Sequence, residues 1–430
     1  MKDLDSKLAV LADAAKYDAS CAVSVAHAPS ARPDTPPGIY VSTGPDGRPL
    51  ALLKILLTNE CIYDCSYCIH RRSSDVVRAR FSPDEVVALT LDYHRRGLID
   101  GLFLSSGVIE SPDATMEQLV SVARSLRRTH HYFGYIHLKT IPDCSEELIT
   151  EAGRWADRLS VNIEMPRQSD LDRLAPEKTL VRITRAMNVI RSGIDEAADA
   201  RSGHGLSESG ETRRALMEGA RGQRFAPAGQ TTQMIVGATD ASDAEVLLTA
   251  VSLYARQKLR RVYYSAYIPI PDAPGSLPDS APPAQRERRL YQADWLIRDY
   301  GFTVGDLTPP GAENLDLSVE PKLAWALRNP DRFPIDVNRA PKSELLRVPG
   351  FGRTTVARII ETRRRASVRV ADLAAMRVPL GRALPFITTA DRVPPEVRPN
   401  VVPFRASRER GSQLELFSSP PDRQDRRSAS

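Results

Sequence analysis

Cysteine and unbroken apolar stretches are both scarce in this sequence of 430 residues. Five cysteines in a chain of that length are too few for a disulfide-stapled secreted scaffold. No run approaches the roughly eighteen apolar residues of a membrane span. The opening Met1-Lys2-Asp3-Leu4-Asp5 carries acids where a signal peptide would carry an apolar core. The expectation is a soluble chain in the cytoplasm, where thiols stay reduced. What is present is ordinary for a folded protein: 42% apolar and 26% charged residues, enough for one large domain and a smaller one.

The charge is uneven. From residue 321 onward Lys and Arg outnumber Asp and Glu by 22 to 11, whereas in residues 1–320 they are outnumbered, 37 against 43. A basic carboxyl-terminal part is the electrostatic footprint expected for a polyanion, although an Arg-rich genome would raise the same count.

Three of the five cysteines lie together, in Cys61-Ile62-Tyr63-Asp64-Cys65-Ser66-Tyr67-Cys68, directly after the apolar run Leu52–Leu57. A C-x3-C-x2-C loop can turn three thiolates toward one side of an iron-sulfur cluster, and no fourth cysteine is near enough to close the site. Three ligands leave one iron open. The rival is a zinc ion held by the three thiols and His70, although zinc motifs usually place their histidine farther along the chain. Cys21 reads as a small buried hydrophobe, and Cys144 is too isolated to suggest a second cluster.

The spacing, set just past a first buried strand, resembles the radical S-adenosylmethionine (SAM) superfamily. The resemblance implies a 4Fe-4S cluster on Cys61, Cys65 and Cys68, with SAM chelated at the open iron and cleaved to a 5'-deoxyadenosyl radical. It implies that Tyr67 lies against the adenine. It also implies that Ser105-Ser106-Gly107, where the superfamily usually has Gly-Gly-Glu, binds the SAM amino group through backbone. Asn162 and Glu164 are the candidates for ribose, and Gln233, Val236 and Gly237 for support of the adenine.

Around that loop short apolar runs alternate with helical patterns. Strands are predicted at 52–57, 101–105, 135–139, 159–163, 233–236 and 261–267, with helices near 83–96, 115–130, 145–156, 179–195 and 242–257. Ser82-Pro83-Asp84-Glu85 and Ser145-Glu146-Glu147 look like capped helix starts. Repeated strand-helix units give a parallel sheet and an α/β fold class; six of them over residues 50–320 resemble the partial (β/α)6 TIM-like barrel of radical SAM enzymes. Before it, residues 1–49 hold a short helix marked by Leu4, Leu8, Leu11 and Ala15, then a proline-rich extended arm or lid. Residues 191–229 lack an apolar stripe and read as a partly helical insertion, mobile around Ser202-Gly203-His204-Gly205. Lys139 reads as a surface ion-pairing group.

Residues 321–395 are expected to form a small all-α domain. Here Pro341 opens one helix, Val356, Ile359 and Ile360 stripe another, and Pro349-Gly350-Phe351-Gly352-Arg353-Thr354 joins them. This resembles the helix-hairpin-helix motif, which implies backbone N–H contacts to DNA phosphate with little sequence preference. Val370–Ile387 reads as a degenerate second hairpin. The tail, 396–430, is expected to be disordered. Within it Gln413-Leu414-Glu415-Leu416-Phe417 resembles the bacterial sliding-clamp binding motif, through Gln413, Leu414, Leu416 and Phe417.

Together these features resemble radical SAM proteins of DNA modification or repair, a group linked with uracil-DNA-glycosylase-like partners. They imply a nucleoid-associated enzyme acting on DNA, supplied by an electron donor. An RNA-modifying radical SAM enzyme and a non-catalytic iron-sulfur protein that binds or senses DNA are the alternatives.

Overall fold

A computed structural model describes residues 4–15, 36–43, 48–203, 224–273 and 275–394. Cys21, His204, most of the proline-rich arm and the tail with Gln413, Leu414, Leu416 and Phe417 lie outside the described residues. The chain divides into two compact units, the first running to Trp325 and the second from Ala326.

In the first unit, α1 (Leu4–Ala14) is followed by an edge strand β1 (Ile39–Thr43) antiparallel to β2 (Pro49–Leu56). Five strand-helix steps follow: α2 (Pro83–Arg95), β3 (Gly101–Ser105), α3 (Pro112–Arg128), β4 (Tyr135–Lys139), α4 (Glu146–Trp155), β5 (Arg158–Ser160), α5 (Gln168–Leu174), α6 (Leu180–Gly203), β6 (Gln230–Val236), α7 (Asp243–Gln257) and β7 (Arg261–Ala266). The strands lie in chain order in one seven-stranded sheet, and β2 to β7 are parallel. Right-handed crossovers between strands in that order put every helix on the same face. That is the topology of part of a (β/α) barrel, and it leaves an inner face without helices.

The expected arm thus contains a paired strand, hidden in the sequence by the prolines around it. Ser82 caps α2 as read, accepting from the Glu85 N–H while Glu85 returns to the Ser82 N–H. Ser145 also opens a helix, but its side chain makes no cap bond; its N–H donates instead to Asp113.

Residues in register on parallel strands share a face. Lys54, Phe103, His137 and Arg158 are one inner row, and Lys139, Ser160, Thr231 and Arg261 the next. The opposite face, with Leu53, Ile55, Leu102, Leu104, Ile136 and Leu138, is buried apolar core.

After β7 come α8 (Ala284–Tyr300), α9 (Val304–Leu307) and α10 (Pro321–Arg328). The outer edge of β7 is closed by side chains rather than by another strand. Tyr254 accepts from the Val262 N–H at 3.0 Å, Tyr291 bonds both the N–H and the carbonyl of Tyr264 at 3.0 Å, and Glu287 accepts from the Ala266 N–H at 3.1 Å.

The second unit holds β8 (Ile335–Asp336), α11 (Lys342–Leu345), α12 (Arg353–Arg363), α13 (Val370–Ala375), α14 (Leu380–Ala383) and β9 (Ile387–Thr388). It is therefore not all-α: β8 and β9 pair in parallel, Ile335 against Ile387. Two-residue strands are too short to show the alternation by which a strand is read from sequence.

Candidate functional site

The apolar strand β2 ends at Leu56 and delivers the chain to a loop that runs to Ser82, longer than most connections in compact domains. Side chains hold it where secondary structure does not. Asn59 donates to the Val77 carbonyl and accepts from the Ala79 N–H, both at 2.8 Å, which stitches the two arms together. Arg78 donates to the carbonyls of Asn59, His70, Arg71 and Ser74. Asp64 accepts the Ser73 N–H and hydroxyl, bonds that hold its carboxyl below the usual range. Arg71 reaches the Asp272 carbonyl at 2.5 Å.

On this frame Cys61, Cys65 and Cys68 are free thiols, Cys65 buried and the other two half-buried. Burial pushes the Cys65 thiol up to about 12 and raises that of Cys68. The Cys68 N–H donates to the Cys65 carbonyl at 2.9 Å, closing a turn between them. The Val108 N–H points at the Cys61 sulfur at 3.4 Å, a donor a thiolate would use.

Four tetrahedral ligands about 2.3 Å from one zinc need their donor atoms within about 4 Å of each other. Among the described residues no three His, Cys, Asp or Glu side chains meet that demand for a single ion.

Ser105 is buried at the end of β3, and Ser106 is half-buried with its hydroxyl on the Gly107 carbonyl. Gly107 donates to Thr58 at 2.8 Å, and a Cβ there would lie 2.1 Å from the Glu60 carbonyl. The glycine is needed so that this turn can lie against the strand leading into the cysteines.

Beyond β5 the chain does not continue as the strand read to 163. It bends through Asn162, which is buried, to Glu164, which is left-handed at φ 64 and bridges to Met234 of β6. A non-glycine residue in that region marks a constrained place. Glu164 binds Lys178 at 2.8 Å, and the Lys178 ammonium lies 3.5 Å from the Tyr67 hydroxyl. Burial alone would lower the Lys178 ammonium, but Glu164 and its other neighbours hold it well above the usual range. Tyr67 is raised, first by burial and then by Glu164. Gln233 and Val236 are buried on β6.

Gly237, directly after β6, is left-handed at φ 84, and a Cβ there would lie 2.6 Å from the Pro282 ring.

The structure therefore gathers Cys61, Cys65, Cys68, Tyr67, Gly107 and Glu164 around one loop end, and adds Lys178. Sequence reading missed Lys178, and also Asp143 and Glu177, which bond Tyr63 and the Asp64 N–H. None carries a local motif.

In the second unit the turn from Pro349 to Gly352 joins α11 and α12, with Gly350 left-handed at φ 83. Arg353 and Thr354 are exposed at the start of α12. Pro349 and Phe351 are buried, Phe351 to 2% exposure, so their side chains anchor the turn.

No family model matches the chain, and no curated protein matches its sequence. Among solved structures, the FeFe-hydrogenase maturase HydG from Carboxydothermus hydrogenoformans is similar at 15% identity and TM-score 0.40 over 56% of this chain and 50% of that one. Methylornithine synthase is similar at 12% identity and TM-score 0.40, over 55% and 59%. Coproporphyrinogen III oxidase from Escherichia coli, described as a radical SAM enzyme, is similar at 15% identity and TM-score 0.30, over 55% and 50%. The likeness is to part of each chain. This chain spans about half the length of the two HydG structures it matches.

Proposed function

We propose that this chain is a radical SAM enzyme that holds a 4Fe-4S cluster on Cys61, Cys65 and Cys68, cleaves SAM reductively and acts on DNA. The observation that carries the reading is the loop after β2: three free thiols on one hydrogen-bonded frame, with a backbone donor on one sulfur. When bound, a cluster with an open iron supplies the electron that breaks the sulfonium of SAM.

The protein's own residues bind and orient. Asn162 and Glu164 offer acceptors to ribose hydroxyls. Tyr67 offers its ring, and Ser105, Ser106 and Gly107 line the turn beside the loop. Lys178 sets a positive charge, buried with Glu164, next to the thiols; three thiolates in a low dielectric favour such a neighbour.

The DNA part rests on the second unit. Its glycine turn leads into the start of α12, where Gly352 supplies no capping side chain and Arg353 is exposed, and helix starts of that kind accept phosphate. The tail residues Gln413, Leu414, Leu416 and Phe417 are proposed to hold a sliding clamp, which replacing Leu416 and Phe417 by Ala should abolish.

The test is anaerobic reconstitution followed by incubation with dithionite, SAM and duplex DNA, with 5'-deoxyadenosine and modified nucleosides measured by mass. Colourless protein holding one equivalent of zinc would end the proposal. Release of 5'-deoxyadenosine with transfer RNA preferred over duplex DNA would move the substrate to RNA, and DNA binding without any such release would leave a non-catalytic binder.

A further inference from the structure

The inner face of the first unit carries polar atoms that the described residues leave unsatisfied. Arg261 begins β7, with Tyr263 two residues on and facing the same way. Its guanidinium lies 5.8 Å from the Tyr263 ring, 5.6 Å from Tyr291 and 5.9 Å from Trp295. Three rings thus lie within cation–π reach of it. Its Nε and Nη2, by contrast, are buried and have no hydrogen-bond partner.

Those two nitrogens form one edge of the guanidinium, the fork that takes two oxygens of a phosphate or carboxylate side by side. The neighbouring position in register, Thr231 on β6, is 1% exposed, and its hydroxyl also has no partner. Orphaned buried donors are costly, and three on adjacent positions of one face point to a missing ligand.

The surroundings say what kind. Arg158, on the same face of β5, lies 5.9 Å from the Tyr135 ring, a second cation on an aromatic. The inner-face cations of β4 to β7 are Lys139, Arg158 and Arg261, and the acid at that face, Glu164, is already paired with Lys178. Trp295 is 48% exposed. An indole open to solvent beside an arginine fork suits a planar base joined to a phosphate.

We propose that Arg261, Thr231 and Trp295 form a nucleotide-binding site beside β7, with phosphate on the Arg261 fork and Thr231 hydroxyl and the base stacked on Trp295. The site belongs to the first unit alone and needs neither cluster nor SAM, so its test is separable from that of the catalytic reading.

The test uses the full chain without SAM or reductant and a 3'-labelled, 5'-phosphorylated thymidine trinucleotide followed by anisotropy. Arg261→Gln is expected to weaken binding about tenfold and to flatten the dependence of log affinity on log salt by about 0.7, the value for one phosphate of a single strand. Thr231→Val should weaken it by a smaller factor, and Trp295→Phe should remove the fluorescence quenching that accompanies binding.

Thymidine monophosphate competing as well as the trinucleotide identifies a free nucleotide as ligand; competition only by the trinucleotide identifies a strand. Unchanged affinity in Arg261→Gln with wild-type melting overturns the proposal. So does displacement by inorganic phosphate as effective as by thymidine monophosphate, or loss of binding in Arg353→Glu together with none in Arg261→Gln. If Arg261→Gln fails to fold, unchanged affinity in both other variants overturns it.

Discussion

The cysteine loop of the first unit and the glycine turn of the second, each proposed above to hold a ligand, are held by opposite means. The loop has little core; Arg78, Asn59 and Asp64 fix it by bonding its backbone directly. The turn is held by burial of Val348, Phe351 and Val356 beneath it. A frame of side-chain hydrogen bonds fails when one donor is removed, whereas a frame of apolar burial fails when backbone conformation or volume is changed.

The largest separation of the two should come from Cys65→Ala. Iron and visible absorbance are expected to be lost from the first unit, while affinity for duplex DNA stays within about twofold, since no phosphate contact changes. Parallel loss of both would show the two regions to be one. Next, Arg78→Met removes the shared donor from several carbonyls and should cost about 2–4 kcal/mol, read as a lower urea midpoint and poor iron retention with DNA affinity intact.

The converse is Gly350→Val. A β-branched residue in the left-handed region is disfavoured by about 1–2 kcal/mol or more, and its Cβ would start 3.1 Å from the Pro379 ring. DNA affinity should fall about tenfold or more while iron content is unchanged; retained affinity would remove the turn from the interface.

The smallest effect concerns pH. Burial raises the Glu287 carboxyl above its ordinary range, with the Ala266 N–H acting the other way. The folded state then holds that proton more tightly than the unfolded one. Its contribution is fullest below about 4.3, the unfolded value, and is lost as pH rises through the folded value. Glu287→Gln should flatten this loss in melting curves between pH 4 and 8; an unchanged pH slope would show that Glu287 does not set it.

What the sequence made legible was local. The parallel strands announced themselves as apolar runs between helical patterns, and the thiol spacing needed only eight consecutive residues. Strand β1 was hidden by flanking prolines. Helix α8 was obscured by Arg286, Glu287, Arg288 and Arg289 in its first turns, and it buries Arg289 and Asp294 among its apolar residues. Lys178 meets Glu164 only because the chain turns back after α5, and Phe351 is buried only because the second unit packs there. Such meetings are set by the fold and leave no trace in spacing.

The sealing of β7 also bears on self-association. An incomplete barrel would ordinarily offer its last strand as a template for another copy, yet Tyr254, Tyr291 and Glu287 already occupy the outward-facing amides there. Two molecules could pair strands along that margin only by first stripping away those three side chains.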